Sequence, residues 1–224
     1  METIEELKDA LAAPERLVKN PKDVFEEFER FATSLMNNFQ IEKGGKRYWM
    51  TEIELYLYHD EHRDIITYPR RCKAGMWFFH ASGVDITFES KFPKESPEEL
   101  KQKPFLDKGV VFGGVLIRGI QTVDDDKRRV KGPIKVCDEL FDMFDAFGEP
   151  VAFPQIVAAE SDKRNVKPDK AKRVGMIKDY SKKVQRILSG NYREYNKSVF
   201  HEPDLVAQFK EFWEKGLYRF TAWS

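Results

Sequence analysis

Two carboxylates set among aromatic rings are the first feature of this chain with chemical content. In residues 47–58, Glu52 and Glu54 are interspersed with Tyr48, Trp49, Tyr56 and Tyr58, and the stretch has the composition and the period of two of a β-strand. Side chains on a strand alternate between faces. Trp49, Thr51, Ile53, Leu55 and Leu57 are therefore expected on one face, and Tyr48, Met50, Glu52, Glu54, Tyr56 and Tyr58 on the other. Carboxylates are poor strand formers and are seldom buried without partners. The plain reading is an exposed face with both glutamates in water. The sharper one is an aromatic-lined pocket with a carboxylate at its floor, where it could act as general base toward a flat ligand.

Other candidates are weighed in the same way. Arg118 stands alone amid Val115, Leu116, Ile117 and Ile120, and an unpaired buried charge is costly. It is either half of a structural ion pair or an arginine that positions a phosphate or the catalytic carboxylate. His59 and His62, with Asp60 and Glu61 between them, lack the helical spacing and third ligand of a metal site. They read as a polar loop at a pocket mouth, and no metal or other cofactor is expected. Residues 162–198 hold 12 Lys/Arg against 4 Asp/Glu, interleaved with Tyr180, Tyr192 and Tyr195. Such a segment is either a solvated face or a phosphate-contacting surface, with Lys182, Lys183 and Arg186 as its candidate contacts.

These groups need a scaffold, and 224 residues suffice for one large core. Lys+Arg and Asp+Glu both number 38, which argues against coating nucleic acid by bulk charge. Two cysteines, Cys72 and Cys137, are too few for a disulfide framework. No apolar run reaches the length of a membrane span, and the acidic N-terminus lacks a signal peptide's features. A cytoplasmic protein is expected, with no membrane and no obligatory protein partner. Residues 2–13 read as a short helix stopped by Pro14. A second is expected from Asn20-Pro21, with Val24, Phe25, Phe28, Phe31, Ala32, Leu35 and Met36 as its apolar stripe. Residues 1–38 thus form a helical extension on a single domain spanning 1–224. Gly44-Gly45 turns a hairpin into the 47–58 strand. Residues 76–80 and 84–88 form a second hairpin, residues 110–121 a mostly apolar strand, and 151–159 a strand-like run. Gly132-Pro133 opens a helix with Val136, Leu140, Met143, Phe144 and Phe147 as its apolar positions and Gly148 as its stop. A last helix runs from Pro203 to near Gly216, before a closing strand.

Four of these stretches together resemble the alkyladenine (3-methyladenine) DNA glycosylase family. Glu52-Ile53-Glu54-Leu55-Tyr56 is similar to its Glu-x-Glu-x-Tyr strand, and Gly75-Met76-Trp77-Phe78-Phe79 through Gly83 to Glu89 resembles its aromatic hairpin. Val115-Leu116-Ile117-Arg118 is similar to its Leu-Leu-Arg strand, and Gly132-Pro133-Ile134-Lys135-Val136-Cys137 to its Gly-Pro-x-Lys-Leu-Cys helix start. The match covers residues 47–147 in order and approximate spacing. It implies a mixed α/β (α+β) domain with a curved antiparallel sheet, a protruding β-hairpin and surrounding helices. It also implies base-excision chemistry, hydrolysis of the N-glycosidic bond of an alkylated or deaminated purine flipped out of DNA. By the resemblance, Glu54 is the base that activates water and Arg118 holds Glu54 or that water. Tyr56 and Phe79 stack on the flipped purine, His62 is the pocket histidine, and Glu52 neighbours the base.

Two positions depart from the family pattern. Ser82 stands where an aromatic wedge is expected on the hairpin, with His80 or Trp77 as a substitute, and Glu89 stands where the pocket has an asparagine. A divergent DNA glycosylase is the preferred reading because Glu54, Tyr56 and Arg118 occur together. A hydrolase or binder of a nucleoside-sized ligand on the same fold is the alternative that Ser82 and Glu89 favour. A non-catalytic nucleic-acid-binding protein using residues 162–198 is the third.

Overall fold

The computed structural model describes residues 1–20, 23–92, 109–124, 126–141, 147–148, 151–159, 163–176, 179–186 and 203–222. The architecture is mixed α/β: a curved, ten-stranded sheet whose recorded strand pairs are antiparallel, and five helices among the described residues. Strand β2 (Lys46–His59) is its hub. Along one flank it pairs with β6 (Phe112–Thr122) from Tyr48↔Thr122 to Tyr58↔Phe112. Along the other it meets three partners in turn: β1 (Phe39–Lys43), β10 (Arg219–Thr221) and β3 (His62–Arg63). β5 (Gly83–Thr87) and then β4 (Trp77–His80) extend the sheet beyond β6. β7 (Arg129–Lys131) also pairs with β6, β8 (Gln155–Ala158) with β1, and β9 (Asp169–Ala171) with β10.

Local chemistry accounts for the turns. Lys43 and Lys46 face each other across Gly44 (φ 55°) and Gly45 (φ 78°), and two successive positive φ values match the hand of a two-residue hairpin turn. Helix α1 (Ile4–Ala12) starts with a capping box in which Thr3 and Glu6 each accept from the other's backbone N–H. Helix α2 (Val24–Asn38) lays Phe28, Phe31, Ala32, Leu35 and Met36 into the core, while Phe25 is partly exposed and stacks on Tyr218 at 5.5 Å. It begins at Val24 after Asp23, later than Asn20-Pro21 suggests, and Pro21 lies outside the described residues. Helix α3 (Pro133–Leu140) is shorter than its apolar spacing implies: Phe141 is already extended, Met143 and Phe144 lie outside the described residues, and Phe147 is exposed. Helices α4 (Tyr180–Arg186) and α5 (Pro203–Lys215) complete the set. Among the described residues, no helix is long and apolar enough to cross a membrane.

The expected alternation along β2 fails at one point. Tyr48 and Met50 are buried in the same cluster as Ile53, Leu55 and Leu57, not on the carboxylate face. The β2–β6 register shifts twice, skipping Thr51 on β2 and then Arg118 on β6. Each extra residue is a β-bulge, which re-aims the side chains that follow it. Even-numbered residues therefore point into the core before Thr51, and odd-numbered ones after it. This main core joins the sheet to α1, α2 and α3, so the helices of residues 1–38 share it. A smaller cluster, with Tyr58, Ile65 and Phe112, lies under Phe209 and Trp213 of α5.

Where β2 and β6 run closest, β6 carries Gly113. A Cβ there would overlap the Tyr56 carbonyl oxygen and come within 2.9 Å of Leu57 Cα, both parts of a backbone that cannot yield. Gly113→Ala is expected to destabilise the fold by about 1–3 kcal/mol or more. Gly175→Ala, which meets nothing within 4 Å, should stay within about 0.5 kcal/mol of the parent. Urea unfolding midpoints of the two variants check the contrast.

Candidate active site

Past the bulges, Glu54 of β2, Leu116 of β6 and Asp85 of β5 stand in register across three strands. Residues directly opposite one another share a face, and with neighbouring strands about 4.8 Å apart the Glu54 and Asp85 backbones lie roughly 10 Å apart. All three line a cleft of about 410 Å³, together with Tyr56, Arg118 and His80. Gly114, opposite Tyr56, leaves room beside it: a Cβ there would come 3.3 Å from both the Arg70 guanidinium and Asp85 Cβ.

Glu54 is 1% exposed, and its carboxylate is held from three sides. The Tyr56 hydroxyl donates to Oε2 at 2.8 Å, the Val174 backbone N–H donates to Oε1 at 2.7 Å, and Arg118 Nε lies 3.4 Å from Oε1. Arg118 also donates to Glu52 Oε1 at 3.0 Å, and Arg219 flanks Glu52 at 3.9 Å. The lone arginine of β6 thus touches both carboxylates, which is why the bulge that turns it toward β2 matters. Burial and the charge of Glu54 push the Tyr56 phenol well above its ordinary range, so it stays protonated and keeps donating. Each carboxylate oxygen retains acceptor capacity, enough to take a proton from a water in the cleft.

Behind Tyr56 sits Arg173, fully buried, its guanidinium 4.0 Å from the Tyr56 ring centre and 4.6 Å from that of Tyr218. It donates to Asp64 and to the Leu55 carbonyl oxygen, while Nε and Nη1 have no hydrogen-bond partner among the described residues. The two aromatic faces take the place of those bonds. Arg173, Val174 and Gly175 follow β9 within the basic region 162–198, which the charge count alone assigns to the surface. Other basic residues of that region are likewise tied to the body: Lys170 pairs with Glu29, Lys163 with Glu2, and Arg164 donates to the Ala222 carbonyl oxygen. Lys182 is exposed on α4, and the side chains of Lys183 and Arg186 lie outside the described residues.

The remaining candidates are dispersed. His62 lies inside the core and not on the cleft. Its Nδ1 faces the Leu57 carbonyl oxygen at 2.7 Å, so Nδ1–H donates, and Nε2 accepts from the Tyr218 hydroxyl at 2.9 Å. Phe79 is turned away as well. Phe78 is the residue in register with Asp85, so strand alternation sends Phe79 to the opposite face, where it is 53% exposed and edge-on to Phe141. Glu89 follows the end of β5 and binds the Ala74 N–H and Lys73 instead of the cleft. Ser82 and His80 are on the cleft, at the two-residue turn of the β4–β5 hairpin. Among the described residues, no group of His, Cys, Asp and Glu is placed to hold a metal ion.

Arg70, Asp64, Asp85 and Arg173 are not among the residues that the sequence singles out as candidates. Asp85 is buried, bonded to Arg70 through Oδ2 and to His80 through Oδ1 at 3.0 Å. Its place in the alternation of β5, on the face opposite Val84 and Ile86, was the one signal available. Arg70 in turn lies over the Phe78 ring at 4.3 Å.

No family model matches the chain, and no solved structure does. Over 131 residues, 53% of its length, the chain is 24% identical to an uncharacterized protein, L759, of Acanthamoeba polyphaga mimivirus. The match spans 58% of that relative, a little over half its length.

His62 yields a pH test that separates a core histidine from a ligand-binding one. Burial holds its pKa below the ordinary 6.5, so the unfolded chain takes up its proton at higher pH than the folded one. Its contribution to stability is complete above about pH 6.5 and is lost as pH falls from there toward the lowered folded value. The slope approaches about 1.4 kcal/mol per pH unit for one proton. His62→Gln is expected to be less stable at pH 7.5 but flatter between pH 7 and 5. Urea titrations at each pH read both effects.

Proposed function

We propose that the chain hydrolyses an N-glycosidic bond to a flat heteroaromatic base, in the manner of a DNA glycosylase acting on a flipped purine. The observation that carries this reading is Glu54: a carboxylate at the floor of a cleft, oriented by Tyr56, Val174 and Arg118, with Tyr56 beside it as a stacking surface. Glu54 takes a proton from water as the water oxygen attacks the sugar carbon, and the electrons of the breaking C–N bond leave with the base. Arg118 holds the carboxylate in place. The order of the β2 strand, the β4–β5 hairpin, β6 and α3 supports a fold of the methylpurine-glycosylase type. DNA, paired or single-stranded, is the proposed partner.

Glu54→Gln keeps the shape but cannot accept the proton, and base release should fall by roughly 10²–10⁴ with the fold and ligand affinity retained. Glu52→Gln should lose less, because Glu52 contacts the sites of chemistry only through Arg118. Single-turnover release of free base from methylated and deaminated DNA measures both. Equal losses, or inactivity of Glu52→Gln alone, would remove Glu54 from the role of base.

A second reading, a hydrolase of nucleoside-sized ligands, is favoured by Ser82 at the cleft rim. The cleft's volume also falls within the roughly 300–1,000 Å³ of small-molecule sites. A serine is too small to fill the gap that a flipped nucleotide leaves, and unstacking costs a few kcal/mol. The parent should therefore act better on unpaired than on paired lesions, and Ser82→Tyr should raise only the paired activity. Rates on one lesion in both contexts test this, and equal parental rates that the substitution leaves alone would sink it.

A further inference from the structure

The proposed reaction leaves open whether the base carries a positive charge, and the ion pairs around the cleft address this. Four carboxylates take part: Glu54 and Asp85 line the cleft, Glu52 shares Arg118 with Glu54, and Asp64 pairs with the Arg173 that backs Tyr56. Each has a guanidinium partner: Arg118 contacts Glu52 and Glu54, Arg219 flanks Glu52, Arg173 pairs with Asp64 and Arg70 with Asp85. His80 adds no charge in the bonding pattern observed. The Ser82 backbone N–H donates to its Nδ1, so Nε2 carries the single proton, which is donated to Asp85. The Tyr56 ring, the surface on which a base would stack, already has the Arg173 guanidinium against it at 4.0 Å. A ring that serves one cation has less of its negative quadrupole to offer a second.

Resting on the reading above, we propose that the cleft selects an uncharged heteroaromatic base over a cationic, N-alkylated one. A cation entering this lining meets no carboxylate without a guanidinium among the described residues, and it would lose its own hydration for nothing in return. A neutral base has little hydration to lose. The paired groups offer its edge fixed acceptors on Glu54 and Asp85 and fixed donors on Arg118 and Arg70. Ile66 and Leu116 supply the apolar walls.

The test uses two bases of one shape and different charge. Single-stranded oligonucleotides carrying 7-methylguanine, which is cationic, or 7-methyl-7-deazaguanine, its neutral isostere, each on a 2′-fluorinated sugar that resists N-glycosidic cleavage, are titrated by fluorescence anisotropy against the wild-type protein, whose ion pairs are intact. The neutral form is expected to bind tighter by about tenfold, the size of one partly screened charge interaction. Arg70→Gln in the same background frees the charge of Asp85 and should move the ratio toward the cation by about tenfold. Equal affinities, tighter binding of the cation, or no binding above an unmodified strand would each overturn the proposal. The parental ratio alone suffices should Arg70→Gln fail to fold. Base release by the wild-type protein from hypoxanthine- and 7-methylguanine-containing DNA is measured alongside. Release of either base would uphold the hydrolase reading, while the affinities alone decide the selectivity, because a cationic base is the better leaving group whatever the cleft prefers to bind. A neutral preference in binding without release of either base would uphold the selectivity and reject the hydrolase.

Discussion

The β2–β6 ladder, with its two offset bulges, is the constraint on which the rest of the structure depends. A regular ladder would carry Tyr48, Met50, Glu52 and Glu54 on one face, and either the core would take in two carboxylates or the cleft would take in Met50. Skipping Thr51 lets the strand change which parity faces inward at the point where it passes from the core to the cleft. Skipping Arg118 on the partner restores the register and leaves that side chain within reach of Glu52 and Glu54. Two small irregularities thus settle both the packing of the core and the ion pairs at the cleft, and bulges are over-represented at such places.

Charge is the second organising quantity. A buried carboxylate and a buried guanidinium are each costly alone, and their pairing recovers that cost only with good geometry and satisfied hydrogen bonds. Asp64 shows how this is met: it accepts from Arg173 and from the Thr67 hydroxyl. Arg173 meets its own requirement differently, giving two bonds and covering its remaining N–H groups with aromatic faces. The arrangement braces Tyr56 from behind. The position of the Tyr56 ring is therefore set by a residue far from it in sequence, and the Glu54 carboxylate is set by the next backbone N–H along, that of Val174.

Much of this was legible in the residues themselves, and the illegible part has a physical cause. Gly44-Gly45 between alternating runs admits few structures other than a tight hairpin, and the aromatic stripe of α2 has one sensible use. The central strand with Glu54 and Tyr56 was evident from composition and period. The bulges were not, because Thr51 and Arg118 are unremarkable residues in strands and the register shift arises only from the pairing of two segments. Arg173 was hidden for a related reason. In a run with Lys163, Arg164, Lys167, Lys170 and Lys172 it looks solvated, and only Asp64 and two tyrosine rings, contributed from elsewhere in the chain, make it internal. His62 and Phe79 miss the cleft because a one-residue difference in strand phase exchanges faces, and local sequence does not resolve phase to one residue.

On the edge away from β6, the hub strand is flanked between Glu52 and Glu54 by β10, the last of the described strands. During synthesis on a ribosome, β2, its neighbours β1, β3 and β6, and β5 beyond β6 emerge first, and N-terminal elements fold as they appear. The nascent sheet therefore waits with a stretch of unsatisfied backbone N–H and C=O groups beside its most acidic segment, the kind of open margin along which chains associate wrongly. Glu52 and Glu54, joined by then to Arg118 but not to Arg219 and Val174, leave a net negative charge along that margin, which repels a second copy of it. The same carboxylates that make the finished cleft interesting would thus act earlier as guards against misassembly, before there is a cleft to occupy.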